Sequence, residues 1–372
     1  MKFVSLSVVM ISIAAFLVWV RPSSGIAGLT TALPTGSTPL ALAVNPATNK
    51  IYVANLGDGT VTVIDGTTNA ATEIPVGIHP IAVAVNPVNN KIYVVNHGDG
   101  TLTIIDGNSN STTKTDVGMS PVAVAVNPVT HKVYVAGQLD NNVTVIDEAG
   151  KAAKIRCGVS PGAIEINSVT NKIYVANNAS NDVTIIDGDN NSTATVAVGV
   201  HPAALAINTA TNQVYVANRD SGSITVIDDA GSARSIPVRT QPVALAVNSA
   251  NNKVYVANAI TNDVTVIDGT TGNTHTIATG NTPLSVAVNS VTDQIYITNQ
   301  GSNTVTILDG VSNTVSTIAA GISPRALALN PRTGRVYVAN LIDSTLTVID
   351  GHSNNVAAGG GLHSRESIER RR

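Results

Sequence analysis

A segment of about 40 residues is repeated eight times along this 372-residue chain, and the repetition restricts the possible folds more than any other feature. The stretch "NPATNKIYVANLGDGTVTVIDG", residues 45 to 66, shows the recurring pattern. Every tyrosine of the chain occupies the same place in it, at steps of 40 or 41 residues: Tyr52, Tyr93, Tyr134, Tyr174, Tyr215, Tyr255, Tyr296 and Tyr337. A period near 40 without a long helical pattern is typical of β-propeller blades.

Each repeat divides into four short β-rich segments separated by turn residues. In the first repeat these are "PLALAVN", "KIYVAN", "TVTVIDG" and "ATEIPVG", here called strands a, b, c and d. Strands a and b are almost continuously apolar, as expected for blades that pack against neighbours on both faces. We therefore predict an all-β fold, a single eight-bladed β-propeller of four-stranded blades with strand a innermost; seven blades and a supernumerary copy are the alternative.

The two ends of the repeat region explain how the ring closes. The eighth copy reaches "TLTVIDG" and continues as "HSNNVAAGGG", which contains no fourth strand. Its replacement lies at the start, where "ALPTGSTP", residues 32 to 39, aligns with "EIPVGIHP", residues 73 to 80. We predict that residues 29 to 35 pair with the strand containing Val348 and complete the last blade.

The terminal segments differ from the repeats. Lys2 precedes the apolar run "FVSLSVVMISIAAFLVWV", and small residues in "RPSSGIAG" follow it, which predicts a signal peptide at 1–25, a propeller at 26–356 and a disordered tail at 357–372. An uncleaved membrane anchor is the alternative for this 18-residue run. In both cases the body is secreted, periplasmic or at the cell surface, and after cleavage we expect a monomer without a membrane span.

The motifs "IYVAN", "VYVAN" and especially "IYITN" at 295 to 299, each followed by "TVTVID" or a variant, resemble the YVTN repeat of bacterial and archaeal surface or periplasmic propellers. The resemblance covers roughly residues 30 to 351. It implies the propeller fold strongly and function weakly, since similar propellers include surface-layer components, binding proteins and relatives of the haem-binding propeller of nitrite reductases.

Composition excludes several function classes. Removing the two terminal segments takes away six of the 21 basic and two of the 24 acidic residues, which leaves a body of net charge near −7 that should not bind nucleic acid. Trp19, Phe3 and Phe16 all lie in the signal segment, so the ring lacks the aromatic platforms that sugars, quinones or bases stack on. The single cysteine, Cys157, is interpreted as an apolar filler, and we expect no cofactor and no metal.

One end of the ring is nearly invariant between repeats. The a-to-b turn begins with asparagine in all eight copies and the c-to-d turn with aspartate, and both are interpreted as turn formers that bond nearby backbone. The asparagines are Asn45, Asn86, Asn127, Asn167, Asn208, Asn248, Asn289 and Asn330. The aspartates are Asp65, Asp106, Asp147, Asp187, Asp228, Asp268, Asp309 and Asp350.

The other end, formed by the d-to-a and b-to-c loops, varies and is the candidate ligand-binding face. On the d-to-a loops the residue before the proline includes His79, His201 and Gln241, and the first residue of the b-to-c loops includes His97 and Arg219. Such variation is also what unselected surface loops would show.

Three further residues depart from the repeat pattern in ways that suggest a site. Glu165 stands where the other seven copies have alanine on the innermost strand. Arg325 follows its proline where other copies have an apolar residue or glycine, and Arg239 replaces the glycine of "GxxP". Since Glu165 and Arg325 are four blades apart, they are expected to face each other across the channel, where they could bracket a small polar ligand or simply meet solvent.

The favoured functional hypothesis is a non-enzymatic propeller that binds a protein or cell-envelope component, or serves as a surface component. The alternatives are a channel-mouth enzyme of lactonase or lyase type, with Glu165 and His201 or His79 as acid and base, and a propeller that binds a small ligand or is related to the haem-binding group. No catalytic residue is assigned, because nucleophile, base and oxyanion donors cannot be completed from these residues.

Overall fold

The computed structural model describes residues 30–351, and every regular element in this range is a β-strand. The 32 strands form eight antiparallel four-stranded sheets. The predicted all-β propeller is confirmed, and with it the count of eight blades rather than seven.

The strands, numbered in chain order, take four positions in the blades. The innermost, strand a, are β2 (Pro39–Asn45), β6 (Pro80–Asn86), β10 (Pro121–Val126), β14 (Pro161–Asn167), β18 (Pro202–Asn208), β22 (Pro242–Asn248), β26 (Pro283–Asn289) and β30 (Pro324–Leu329). Strand b comprises β3 (Lys50–Asn55), β7 (Lys91–Asn96), β11 (Val133–Gly137), β15 (Lys172–Asn177), β19 (Gln213–Asn218), β23 (Lys253–Asn258), β27 (Gln294–Asn299) and β31 (Val336–Asn340).

The two outer positions complete each blade. Strand c comprises β4 (Thr60–Asp65), β8 (Thr101–Asp106), β12 (Asn142–Ile146), β16 (Asp182–Asp187), β20 (Ser223–Ile227), β24 (Asp263–Asp268), β28 (Thr304–Asp309) and β32 (Thr345–Ile349). Strand d comprises β5 (Ala71–Pro75), β9 (Thr112–Asp116), β13 (Ala152–Arg156), β17 (Thr193–Ala197), β21 (Ala233–Pro237), β25 (Thr274–Ala278), β29 (Val315–Ala319) and, at the other end of the chain, β1 (Thr30–Pro34).

The hydrophobic core lies between blades. Each innermost strand contacts the innermost strands of both neighbouring blades, and β2 contacts β30, so the ring is closed around a central channel. Between blades 1 and 2, Tyr52 and Val63 pack against Ile92 and Val94, and all four are buried. Because each blade is covered by its neighbours, strand b carries a long apolar run, and in strand c the central threonines such as Thr62 and Thr103 are buried together with the apolar residues.

The closure predicted from the sequence is confirmed. Strand β1 pairs antiparallel with β32, with Thr31 opposite Val348 and Leu33 opposite Leu346. The side chain of Leu33 is buried in a cluster that also contains Ile51 of blade 1 and Tyr337 of blade 8. Strand β1 therefore joins the last blade by backbone pairing and by core packing.

The invariant asparagines have a second role that turn chemistry did not predict. In blade 1, Asn45 Oδ1 accepts the backbone N–H of Ala47 at 3.0 Å, which is the expected turn bond. Its Nδ2 also donates to Oδ1 of Asn90 in blade 2 at 2.7 Å, and equivalent bonds join successive blades at seven of the eight interfaces. At the eighth, Asn289 faces Gly334, which has no side chain to accept the bond.

The signal peptide predicted at 1–25 and the tail predicted at 357–372 lie outside the described residues. Residues 30–351 include no helix long and apolar enough to cross a membrane. Cys157 packs against the core cluster around Ile155 and Ile164, and desolvation raises the pKa of its thiol to about 12, in agreement with its interpretation as a filler.

Candidate functional site

The d-to-a and b-to-c loops lie together at one end of the ring, called here the loop face. In every blade the residue before the d-to-a proline has a positive φ, between 50° and 61°. Its carbonyl oxygen accepts the N–H of the first b-to-c residue at 2.9 to 3.0 Å, as between His201 and Arg219. This link between the two loops is therefore the same in all eight blades, while the side chains around it differ.

The channel wall is made of the innermost strands and is almost entirely apolar. Glu165 is exposed to water within the channel, in a ring whose other seven members are alanine. Protein surrounds the side chain, and this desolvation raises the pKa of Glu165 to about 7, although the backbone N–H of Ile166 opposes the shift. No ion pair joins Glu165 to any residue within 30–351.

The channel mouth on the loop face holds a cavity of about 480 Å³ that contains two of the candidate residues. Arg325, on strand β30, and Arg219, on the b-to-c loop of blade 5, both line it. Glu165 does not line this cavity, although it belongs to the blade opposite Arg325. The cavity therefore brings Arg325 together with Arg219, and the expectation that Glu165 and Arg325 bracket one ligand stays a prediction.

Arg239 and Gln241 lie on the d-to-a loop that leads into blade 6, away from this cavity. The Arg239 side chain is 57% exposed and its Nε is 3.8 Å from Oδ2 of Asp263, which makes it a rim residue. Gln241 is half-buried and contributes its backbone carbonyl to the bond with Ala259.

The three candidate histidines do not converge. His201 Nδ1 is 3.2 Å from Asp220 Oδ2 in its own blade, while His97 Nδ1 is 3.2 Å from the carbonyl oxygen of Pro121 in the next blade. His79 is exposed and its carbonyl accepts the N–H of His97 at 3.0 Å. Between residues 30 and 351, no three His, Cys, Asp or Glu side chains are grouped in a way that could hold a metal ion.

Sequence reasoning missed one polar residue of the cavity and one surface. Ser285 lines the cavity and is the only departure from alanine at its place in the repeat, so the signal that identified Glu165 would also have identified it. The missed surface consists of Ile78, Met119, Val159 and Val200, which occupy equivalent places in four consecutive d-to-a loops and are 49 to 63% exposed. We call these four residues the apolar arc.

The apolar arc is held on a fixed backbone. The N–H groups of Ile78 and Met119 donate to Asp99 and Asp140, each at 3.2 Å. Those of Val159 and Val200 donate to serine hydroxyls at 2.9 and 3.1 Å. The equivalent residues of blades 1, 6 and 7 are polar: Ser37, Thr240 and Asn281. Blade 8 has Ile322, which is 48% exposed and is separated from the arc by these polar blades.

The loop face and the channel mouth offer two different surfaces that another molecule could contact. The arc is a rigid, exposed apolar surface, and the mouth cavity offers two guanidinium groups above apolar walls. A general acid and a general base must both reach the reacting atoms; Glu165 lies on the innermost strand of blade 4, whereas His201 lies on the loop before blade 5 and is paired with Asp220.

Comparison with known proteins supports the fold. No family model matches the chain, and no curated protein sequence matches it. Among solved structures, virginiamycin B lyase from Staphylococcus aureus is similar with a TM-score of 0.61, 15% sequence identity, and coverage of 73% of this chain and 94% of that one. A streptogramin B lyase structure has a TM-score of 0.59 at 12% identity, covering 86% and 97%.

The hydrazine synthase of Kuenenia stuttgartiensis is also similar, with a TM-score of 0.61 at 18% identity, covering 89% of this chain and 99% of that one. Identities this low relate the folds and not the activities. The chain is thus a β-propeller whose similar structures include enzymes of different chemistry.

Proposed function

We propose that this protein is an exported, non-enzymatic propeller of the YVTN type that binds a protein partner through its loop face. The observation that carries the proposal is the apolar arc, because exposed apolar side chains repeated on four consecutive blades of one face are typical of interaction sites. Export and the YVTN relationship rest on the N-terminal apolar segment and on the repeated motif.

The charges beside the arc indicate the chemistry of the partner. Asp140 is paired with Lys154 at 3.1 Å, but Asp99 and Asp116, which line the same cleft as Met119, have no cationic partner within residues 30–351. The body as a whole is also acidic. We therefore expect a partner, a protein or an envelope component, that presents apolar side chains beside lysine or arginine residues.

The turn face, formed by the a-to-b and c-to-d turns, supplies a matched control for this proposal. It also exposes valines on three consecutive blades, Val88, Val129 and Val169, which are 67 to 70% exposed. Blades 1, 5 and 6 carry alanine at this place, so these valines can be exchanged for a residue that the fold already accepts.

The test compares three forms of the protein as bait against extracts of the native cell envelope, with quantitative mass spectrometry as the readout. The arc variant, Ile78→Ser, Met119→Asn, Val159→Ser and Val200→Thr, carries residue types found in blades 1, 6 and 7. The control variant carries Val88→Ala, Val129→Ala and Val169→Ala.

A partner retained by the wild type and the control variant, and lost by the arc variant, would support the proposal. Equal retention by the arc variant would refute it, as would the absence of any protein above background. Export is tested separately by N-terminal sequencing of the mature protein, which should begin near residue 26; retention of Met1 would contradict cleavage.

The enzymatic hypothesis receives less support. Glu165, its candidate acid, has a raised pKa that would suit a general acid. The candidate bases are less suitable, because His201 is paired with Asp220 and His79 lies on the loop before blade 2, two blades from Glu165. The structural likeness to lyases concerns the fold and supplies no matching residues.

A further inference from the structure

The mouth cavity differs in charge from other clefts of the protein. Three surface clefts each combine one lysine with two or more carboxylates, as in the cleft of Lys154 with Asp99, Asp116 and Asp140. The mouth cavity contains Arg219 and Arg325 and no carboxylate. Two like charges in one cavity of an acidic protein create a local positive potential.

Neither arginine is neutralised by the protein. No hydrogen bond or ion pair joins the guanidinium group of Arg219 or Arg325 to another residue within 30–351. Both arginines are exposed to water at the channel mouth, and partial desolvation by the surrounding protein lowers the pKa of Arg325. An anion in the cavity would compensate both groups at once.

The remaining wall of the cavity is apolar apart from one hydroxyl. Leu40, Val243 and Leu284 contribute aliphatic side chains from three different blades. Ser285, in the blade next to that of Arg325, adds a hydroxyl group that can donate a hydrogen bond. A volume of about 480 Å³ is in the range of small-molecule sites. The wall can therefore bury an apolar body, which inorganic ions lack.

We propose that the channel mouth binds a small organic anion with an apolar body, held at its charged group by Arg219 and Arg325. A guanidinium presents paired donors that match the oxygens of a carboxylate or a phosphate ester. The backbone of both arginines is held in place, since Arg325 lies on β30 and the N–H of the loop residue Arg219 is bonded to the carbonyl of His201 at 3.0 Å. None of the arc residues lines this cavity, so the site is independent of the proposed protein partner.

The experiment is isothermal titration calorimetry of the mature protein with four probes. Hexanoate, adipate and hexyl phosphate carry a charged group on an apolar chain and distinguish one carboxylate, two carboxylates and a phosphate ester. Hexanamide has the apolar chain without the charge. The expected Kd for the tightest of the anions is on the order of 1 mM or below, and hexanamide should bind at least about tenfold more weakly.

Matched variants locate the binding. Arg325→Leu and Arg219→Gln introduce residues that other repeats carry at the same places, and each should weaken the best anion by about tenfold or more. Arg239→Gly removes one positive charge from the rim of the same face and should change the Kd by less than about twofold.

The proposal is overturned if no anion binds below about 10 mM, if hexanamide binds as tightly as hexanoate, or if Arg239→Gly weakens binding as much as Arg325→Leu. The arc variant serves as a further control. It should bind the anion with the same Kd as the wild type. The two proposals can therefore fail separately: loss of the protein partner would not affect the anion site, and absence of anion binding would not affect the protein-partner proposal.

Discussion

The turn face and the loop face of the ring are built by the same eight repeats but use their residues in opposite ways. On the turn face, side chains are invariant because they form structure: Asn45 is fully buried, forms its own turn and bonds the next blade. On the loop face, one backbone bond between the d-to-a and b-to-c loops recurs in all eight blades, whereas the side chains that accept further loop N–H groups change from Asp99 in blade 2 to Ser180 in blade 4. Side chains such as Arg219 are therefore free to differ. Identity between repeats thus marks structural bonds, and departure marks a surface available for binding.

Among the changes considered for the two faces, removal of the closing strand β1 has the largest expected effect on the free energy of unfolding. Deleting residues 30–35 should lower the free energy of unfolding by about 4 kcal/mol or more, since it removes a paired strand and the buried Leu33. Urea denaturation followed by circular dichroism measures the change. Thr31→Ala, at an exposed place in the same strand, should cost less than about 0.5 kcal/mol, and a deletion as mild as this control would contradict the closure.

On the turn face, removing one asparagine should cost more where it also joins two blades. Asn330→Ala breaks the bond to Asn49 at 2.7 Å and the turn bond to Arg332, and should cost about 2 to 3 kcal/mol. Asn289→Ala breaks only turn bonds and should cost about 1 kcal/mol less. Equal losses in urea denaturation would mean that the bonds between blades contribute nothing.

The missing bond at the eighth interface can be supplied. Gly334 has a φ of 65°, and the asparagines at the equivalent places have φ near 55°, so Gly334→Asn fits the backbone and gives Asn289 an acceptor. We expect a gain of about 0.5 to 1.5 kcal/mol. The gain should shrink when Asn289→Ala is also present, and a double-mutant cycle that finds no coupling would refute the bond.

The smallest expected effect is a difference in pH dependence between a carboxylate of the turn face, Asp65, and a carboxylate of the channel, Glu165. Backbone N–H groups of Thr68 and Thr67 lower the pKa of Asp65, so this turn loses stability only as pH falls below the ordinary range of an aspartate. The pKa of Glu165 is raised from 4.5 to about 7, so its destabilising effect is absent below pH 4.5, grows as pH rises and is complete above about pH 7.

Glu165→Ala should therefore stabilise the protein at pH 8, by no more than about 1 kcal/mol given its exposure to water, and hardly at all at pH 4.5. Glu165→Gln should show the same pH dependence because it removes the same ionisation. Unfolding in urea at several pH values measures both variants. An effect of Glu165→Ala that is independent of pH would mean that packing, not ionisation, determines it.

Much of the fold could be predicted because it depends on the spacing and order of the repeats along the chain. The spacing of the tyrosines predicted the number of blades, and the alignment of residues 32 to 39 with the ends of other repeats predicted the closing strand. Both arginines of the mouth cavity were among the residues that the sequence singled out, Arg325 because it departs from the pattern of its repeat and Arg219 because it lies on a variable loop.

What could not be predicted is which side chains meet. Glu165 and Arg325 are opposite each other in the count of blades, yet the cavity joins Arg325 to Arg219, three blades away. The bond between Asn330 and Asn49 spans 281 positions in the chain. The apolar arc could be identified only from the exposed fraction of each side chain, and a comparison of the repeats does not give that quantity.

The sequence by itself therefore determined the blades, their strands and their closure, because hydrogen-bond pairing and apolar periodicity act between neighbours in a fixed order. Only the tertiary structure decided that two unpaired arginines share one cavity and that four apolar residues form one surface. These depend on the depth, tilt and side-chain direction of blades that are brought together by ring closure.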